Sequence, residues 1–580
     1  MTVVVLYHAG IPGFSGGFIG VDIFFVISGF LITTIIEKQI SHGSFSIVNF
    51  YGRRFRRLLP ALFVIVVVSF AVGWFLLLPD SMSDLSASII ATSVFVSNFW
   101  FWQNTGDYFD RAAEFEPLLH TWSLAVEEQF YLFVPFALLA LSRFSRRVKV
   151  VIIVFACMGS LVVAQLLVER SPSASFFLLP SRAWELGLGS LLAVWSVSAP
   201  QSMRFRVVAS AICMATLAYC VVSFDSQTSF PGLSALPVCL ATVCLIWMGA
   251  GGGSPVHKAL SLKPVVFIGL VSYSWYLWQW PVLAYLRVWF GGESLPSTSS
   301  LIAVLVSLLL AIASWRFVER PFRRAGTGVD SDTRAIQYGF SFSSLLVVAG
   351  VVVVLWDGVA ARMPGQVRLI IQAVEEGTAV RERCSRQTAG LECTLGVRED
   401  GEQFDFIVIG DSHARALHTM IDDIASEAGL YGTAATRPAC APIFGLERKD
   451  MQRRYVEECN QFLDGVREFV SENPEIKTVI ISARWPLYTN GGYEAWNRPP
   501  DGLLQYRAGF EQHGQTDLQV FENGLLSTLQ WLSGQDRKIV LLGSTPEIGW
   551  HVPNALTGKL LRGIEPPANP SYENIHSRIA

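Results

Sequence analysis

Several ionisable side chains of this 580-residue chain lie inside apolar segments, where a charge is expensive and normally kept for function. His8 closes the first apolar run, Thr2-Val3-Val4-Val5-Leu6-Tyr7-His8. An imidazole there can act as a general base or as a nucleophile. Asp22 sits in Gly20-Val21-Asp22-Ile23-Phe24-Phe25, and Glu127 and Glu128 sit in His120-Thr121-Trp122-Ser123-Leu124-Ala125-Val126-Glu127-Glu128-Gln129-Phe130-Tyr131. Adjacent carboxylates on a helix point about 100° apart, so both cannot face lipid and at least one is expected to face a cavity. Arg182 and Glu185 are three residues apart and can pair on one helical face, as a structural ion pair or as part of a site. Taken alone, His8 would more often be an interfacial histidine than a catalyst. Arg53, Arg54, Arg56 and Arg57 form a basic group. Its first explanation is the excess of Lys and Arg in cytoplasmic loops. Its second is a site for a phosphorylated cytosolic substrate, because guanidinium pairs bidentately with phosphate.

These residues need a membrane to position them. The chain is 51% hydrophobic and 16% charged, against about 25% charged in a typical soluble protein. The apolar excess is confined to residues 1–356, and 357–580 reads as soluble. A net charge of −3 gives no sign of nucleic-acid binding. Long apolar runs fall near 16–36, 58–78, 122–141, 149–168, 181–197, 206–223, 231–249, 264–287, 299–319 and 338–356, with a truncated one at 1–10. Basic residues collect at 53–57, at Arg143, Arg146, Arg147 and Lys149, at Arg204 and Arg206, at Lys258 and Lys263, and at Arg316, Arg320, Arg323 and Arg324. For this alternation to hold, the run at 86–102 must be re-entrant or interfacial, and the last span must run outward. The soluble part is then extracytoplasmic. Its four cysteines, Cys384, Cys393, Cys440 and Cys459, permit two disulfides there, and proximity favours Cys384–Cys393 and Cys440–Cys459.

Within the soluble part, 404–409, 478–483 and 538–543 read as buried strands, with helical stretches around 452–472 and 517–533. That alternation predicts a parallel sheet covered by helices. Gly410-Asp411-Ser412-His413 follows the first strand. Ser412 between strand and helix can be a nucleophile facing backbone N–H groups; equally, Asp411 and Ser412 can simply cap the helix.

Together these segments resemble the acyltransferase-3 family of integral membrane acyltransferases. The resemblance is carried by Tyr7-His8, by the string from Gly17 to Leu31, by Phe50 to Pro60, by Leu119 to Tyr131, by Arg182-Ala183-Trp184-Glu185-Leu186, by Ser272 to Trp278, and by Arg316-Phe317-Val318-Glu319-Arg320-Pro321. Ile409 to Ala414 and Ala483-Arg484-Trp485 resemble the SGNH domain of its fused subfamily. The resemblance implies a polytopic α-helical membrane domain of ten spans plus one linking span, then an α/β, flavodoxin-like three-layer SGNH domain. The expected bounds are 1–325, 326–360 and 361–580. It implies an acyl-CoA donor, usually acetyl-CoA, and a cell-surface carbohydrate acceptor such as lipopolysaccharide O-antigen. No permanently bound cofactor and no metal are expected. The setting is the bacterial inner membrane, with the C-terminal domain in the periplasm. In that family a histidine ending the first span and an Arg-x-x-Arg pattern are functional. They map to His8 and to Arg53 with Arg56, although Arg54 with Arg57 also fits. Asp22, Glu127 or Glu128 would line the cavity, and Ser412 could accept the acyl group or pass it on.

Departures are also visible. Relatives usually carry an arginine-containing segment before the first span, many have His where this chain has Gln279, and the expected Asp-x-x-His block is not found after residue 551; His576 has Glu573 three residues before it. The sequence is therefore expected to lack both chain ends. A competing expectation is a transporter or glycan flippase with an accessory domain, and another is a degenerate protein that has lost catalysis.

Overall fold

The computed structural model describes residues 1–104, 111–290, 295–324, 329–369, 371–372, 393–397, 403–451, 453–489, 503–510, 516–543 and 560. The chain divides into two compact units, Met1–Arg362 and Met363–Ala580.

The first unit is helical: α1 (Thr2–His8), α2 (Gly20–Ser41), α3 (Ile47–Leu76), α4 (Pro79–Ser93), α5 (Ser97–Asn104), α6 (Thr121–Leu141), α7 (Arg146–Arg170), α8 (Pro172–Phe177), α9 (Leu179–Trp195), α10 (Met203–Ser223), α11 (Leu236–Gly249), α12 (Pro255–Leu260), α13 (Lys263–Trp289), α14 (Ser297–Ser314), α15 (Arg320–Arg324) and α16 (Val329–Leu355). In lipid the backbone has no water to bond, so each segment must satisfy its own N–H and C=O groups as a helix. Seven helices among the described residues are long and apolar enough to cross a membrane: Gly17–Ser41, Ile47–Leu76, Thr121–Leu141, Arg146–Arg170, Met203–Ser223, Ser297–Arg323 and Asp330–Leu355. A shorter apolar helix spans Leu233–Gly249. Phe155 on α7, Leu309 on α14 and Leu355 on α16 are at least two-thirds exposed, as side chains facing acyl chains would be.

Helix α4 has 15 residues and α5 has 8, both short of the roughly 20 a crossing takes. Together they brace the start of α6. Thr121 Oγ donates to Ser97 Oγ at 3.0 Å, and the Gln129 amide donates to Asn98 Oδ1 at 2.8 Å. The crossing of α2 and α9 depends on two glycines. A Cβ on Gly29 would lie 1.9 Å from the Leu186 carbonyl oxygen, and one on Gly189 would lie 2.0 Å from that of Val26. Small residues let membrane helices approach backbone to backbone.

The second unit is an α/β domain. Its five-stranded sheet runs β1 (Cys393–Gly396), β3 (Tyr431–Thr436), β2 (Phe406–Gly410), β5 (Thr478–Ser482), β7 (Lys538–Leu542), and β4 (Leu446–Arg448) pairs with β6 (Leu504–Tyr506) in a separate ribbon. The three expected strands are β2, β5 and β7, and they are parallel. The sheet is mixed, however: β1 pairs antiparallel with β3. Helices α17 (Ser412–Ala416), α18 (His418–Ala428), α19 (Arg453–Glu472), α20 (Trp485–Thr489) and α21 (Asp517–Gly534) complete the unit. Alternate residues of β2 feed opposite faces. Ile407 and Ile409 pack with Leu463, Val466 and Val470 of α19, whereas Phe406 and Val408 pack with Ile421 and Ala425 of α18. A strand buried on both faces reads as a continuous apolar run, which is why β2 was visible in the sequence. Cys440 and Cys459 form a disulfide with Cα atoms 5.7 Å apart. Cys393 is also disulfide-bonded, and Cys384 lies outside the described residues.

Candidate functional site

Contacts bring the basic residues to one end of the helical unit. Lys149 at the start of α7 pairs with Glu37 near the end of α2 at 2.9 Å, and Arg53 at the start of α3 reaches Gln39 of α2 at 3.4 Å. The four arginines of α3 do different things. Arg53 is exposed. Arg56 is buried and pairs with Asp332 at the start of α16, while its second amino group donates to Ser331 Oγ at 2.9 Å. Gly52 permits this approach, since a Cβ there would lie 2.7 Å from the Asp332 Cα. Arg54 lies over the Tyr131 ring of α6, 4.6 Å from its centroid. Arg54 and Arg57 both act electrostatically on Glu127 and Glu128. Of the two Arg-x-x-Arg registers, Arg54 with Arg57 therefore faces the carboxylates.

Glu127 is buried and accepts hydrogen bonds from Ser28 Oγ of α2 and from the Tyr131 hydroxyl, which also bond each other. Glu128 is half-buried, and its Oε1 has no hydrogen-bond partner among the described residues. One turn toward the start of α6, Ser123 Oγ lies 2.5 Å from the Tyr276 hydroxyl of α13. Tyr276 donates to the His120 carbonyl at 2.8 Å. His120, Ser123, Glu127 and Tyr131 thus recur at the three- and four-residue spacing of one helical face.

His8 lies at the other end of this polar face. It is 6% exposed, and its Nδ1 bonds Gln279 Oε1 of α13 at 2.9 Å. An amide oxygen can only accept, so the ring carries its proton on Nδ1 and Nε2 is the lone-pair nitrogen. The edge of Trp280 packs on the ring, with centroids 4.6 Å apart. The Arg287 guanidinium donates to the His8 carbonyl at 2.7 Å and pairs with Glu114 at 3.2 Å, which fixes the end of α1. His120 is within electrostatic reach of His8.

Asp22 is not part of this face. It pairs with Arg182 at 2.8 Å, and Arg182 also holds Glu185 at 3.0 Å. All three are almost wholly buried, and Arg182 stacks on Trp122, Phe176 and Phe230. This cluster ties α2 to α9.

In the second unit Asp411 caps α17: its Oδ1 accepts from the His413 N–H at 2.8 Å. Its Oδ2 accepts from the Arg484 N–H at 3.0 Å and from the Tyr488 hydroxyl at 2.8 Å. Asp411 is buried and Ser412 is exposed at the start of the helix. Burial, then the neighbouring Asp411 carboxylate, push the Tyr488 hydroxyl well above the ordinary tyrosine range. Apart from residue 560, the segment after residue 551, with His576, lies outside the described residues.

Sequence reasoning did not single out His120, Tyr131, Tyr276 or Glu319, and treated Gln279 only as a departure. Glu319 is buried, sits in the π-helical turn Trp315–Glu319, accepts from Ser274 Oγ at 3.0 Å and pairs with Arg323 at 2.9 Å. The available signal was the period on α6, since His120 and Tyr131 lie in the same quoted string as Glu127.

A helical membrane unit with buried polar groups, followed by a mixed α/β domain, defines a class of membrane protein with an appended SGNH-type domain. Family models support this at both ends: an acyltransferase domain model matches residues 1–316, and a model for SGNH domains fused to such domains matches 382–580. The chain belongs to the acyltransferase-3 family. It is similar to the O-acetyltransferase OatA of Staphylococcus aureus (strain NCTC 8325 / PS 47), 32% identical over 338 residues, covering 56% of this chain and 55% of that protein. It is also similar to the peptidoglycan O-acetyltransferase OatA of Listeria monocytogenes serovar 1/2a (strain EGD-e), 32% identical over 372 residues, with coverages of 61% and 59%. The chain thus spans little more than half the length of these curated relatives. No solved structure matches the chain.

Proposed function

We propose that the chain is an envelope O-acyltransferase that moves an acyl group, acetyl in the simplest case, from cytosolic acyl-CoA to hydroxyls of a cell-surface polysaccharide. One observation carries this: polar residues recur along one face of α6 from the Arg54–Arg57 end to His120, which is within electrostatic reach of His8. From Tyr131 to His120 it rises about 16 Å, half of a hydrocarbon core roughly 30 Å thick. Arg54 and Arg57 hold the donor's phosphates. His8 presents Nε2 to the acyl carbon and carries the acyl group as its nucleophile. Glu127 keeps Tyr131 and Ser28 in place, Glu128 faces the arginines, and Asp22 acts by holding Arg182. The chain crosses the inner membrane ten times, and α16 makes the eleventh crossing to an extracytoplasmic SGNH domain, in which Ser412 takes the acyl group onward. Lipopolysaccharide O-antigen and cell-wall glycan are the acceptors to separate, the name of the Listeria relative favouring the latter.

The test is ester-linked acetate released from isolated peptidoglycan and, separately, from lipopolysaccharide of cells expressing the chain. Acetylation lost in His8→Ala supports the reading. Unchanged acetylation in His8→Ala, or glycan flux without thioester consumption, overturns it, the latter in favour of a transporter.

A further inference from the structure

Within the helical unit, one titratable side chain within electrostatic reach of His8 has no side-chain hydrogen bond among the described residues. His120 is 1% exposed, and neither ring nitrogen has a hydrogen-bond partner among the described residues. Buried polar groups are nearly always bonded, and each exception calls for an explanation such as a catalytic role or an absent ligand. A histidine kept only for packing would be paired or replaced by an apolar residue, because an orphaned imidazole weakens the fold. Its main chain is firmly held instead. The His120 carbonyl accepts from Tyr276, whose hydroxyl is also bonded to Ser123, and the Tyr276 ring meets the imidazole edge-on at 5.4 Å. The preceding segment is fastened to α13 by the Trp280 indole N–H, which donates to the Glu116 carbonyl at 2.7 Å. Trp280 is the residue that packs on His8. The ring of His120 is thus positioned through its backbone while its nitrogens are left for something else. A second orphan lies in the same place. Gln279, fully buried, gives its oxygen to His8, and its Nε2 has no partner among the described residues.

We propose that His120 is a catalytic base for the second half of the transfer, accepting the proton of the acceptor hydroxyl, with the Gln279 amide N–H donating to the acyl oxygen. The assignment rests on the His8 reading above. In the first half, His8 Nε2 bonds the acyl carbon of the thioester, the carbon–sulfur bond breaks, and the electron pair leaves on sulfur as thiolate. In the second half, the acceptor hydroxyl oxygen bonds the acyl carbon. The carbon–nitrogen bond breaks with its pair returning to Nε2, and the hydroxyl proton moves to His120. His120 then releases that proton to water while the thiolate takes one up, so the sum is thioester plus alcohol to ester plus thiol. Two imidazoles divide the work: one cannot hold the acyl group on Nε2 and use the same lone pair as a base.

The test uses the full chain in proteoliposomes, radiolabelled acetyl-CoA as donor probe and purified peptidoglycan or lipopolysaccharide as acceptor probe. Protein-bound label before acceptor addition reads the first half, and labelled glycan reads the second. His120→Gln is expected to take up label as the native chain does and to pass it to glycan roughly 100-fold more slowly, the usual size of a lost general base. His120→Ala is expected to regain at least about a tenth of native transfer with added imidazole, since a free base then fills the vacated position. His120→Asn serves where either variant does not elute as a monodisperse species. Transfer by His120→Gln within about threefold of native, with His8→Ala inactive, overturns the role of His120 and leaves the His8 reading standing, because a base loss is far larger. A native chain that takes no label, or an active His8→Ala, overturns both.

Discussion

Replacing Gln279 by leucine keeps His8 but removes both the acceptor that orients its ring and the amide N–H proposed to meet the acyl oxygen. The substitution keeps side-chain size and removes the acceptor of a 2.9 Å bond between two buried groups. The buried His8 Nδ1–H then loses this acceptor, a loss worth about 1–3 kcal/mol. If that cost falls on the reacting arrangement, transfer slows roughly 5- to 150-fold, at 1.36 kcal/mol per decade. The ring can also turn, or shift its proton to Nε2, which removes the lone pair altogether. The fall is expected in kcat, with KM for acetyl-CoA nearly unchanged, because the proposed phosphate site at Arg54 and Arg57 lies about half a membrane away. Gln279→His offers a second imidazole nitrogen as acceptor and is expected to keep most of the activity. The assay is initial-rate glycan acetylation in proteoliposomes at several acetyl-CoA concentrations, with size-exclusion profiles as a fold control. A well-folded Gln279→Leu with native kcat would refute the claim that this bond sets the reactive tautomer.

Other substitutions separate further parts of the molecule. Arg54→Ala and Arg57→Ala are expected to raise KM for acetyl-CoA about tenfold or more, since each removes a charge-assisted phosphate contact of the proposed donor site. Arg56→Ala should instead release α16 from α3 by breaking the Asp332 pair, and shows as lowered thermal stability in detergent. Arg182→Leu leaves Asp22 and Glu185 buried without their cation and should cost roughly 3–5 kcal/mol; combining it with Asp22→Asn and Glu185→Gln should restore monodisperse protein. Asp411→Ala strips the acceptor from three donors, so protease resistance of the second unit should fall, at about 1–3 kcal/mol for each donor left buried. The raised Tyr488 hydroxyl gives a pH signature. Its folded value exceeds the unfolded one of about 10, so its stabilisation is complete below that pH and lost as pH rises above it. Denaturant titrations should show native stability falling toward that of Tyr488→Phe only above about pH 10.

How much could be read beforehand follows from what each element buries. Every long apolar run contains a helix, because lipid on the outside and packing on the inside leave few polar positions to blur the signal. Strand β3, Tyr431-Gly432-Thr433-Ala434-Ala435-Thr436, was missed because its buried residues are small and weakly apolar, so hydropathy does not mark it. Strand β1 has four residues and takes its direction from a neighbour far along the chain, which no local pattern encodes. At the site, Glu127 was visible because a carboxylate in an apolar run is costly, whereas His120 was not, because a histidine just ahead of an apolar run suits an interface equally well. Asp22 drew notice for the same cost as Glu127, and only the structure separates them: one carboxylate is bound by a guanidinium from α9, the other by hydroxyls on α2 and α6.

The arginines make the same point about register. Arg53-Arg54-Phe55-Arg56-Arg57 contains two copies of Arg-x-x-Arg, and a helix turns each by about 100° from the other. Sequence alone allows either copy to meet a phosphate. What decides is the neighbour on each side of α3. Asp332 and Ser331 already hold Arg56, so a phosphate there would have to displace a buried carboxylate. Arg54 stacks on Tyr131, whose hydroxyl is bonded to Glu127 on the same helix as His120. A ligand held by Arg54 and Arg57 therefore begins on the polar face that ends at His8, and one held by Arg53 and Arg56 does not. If Arg53→Ala and Arg56→Ala, correctly folded, raised KM for acetyl-CoA while Arg54→Ala and Arg57→Ala left it unchanged, the donor would enter from the wrong side of α3 for this face to carry its acyl group.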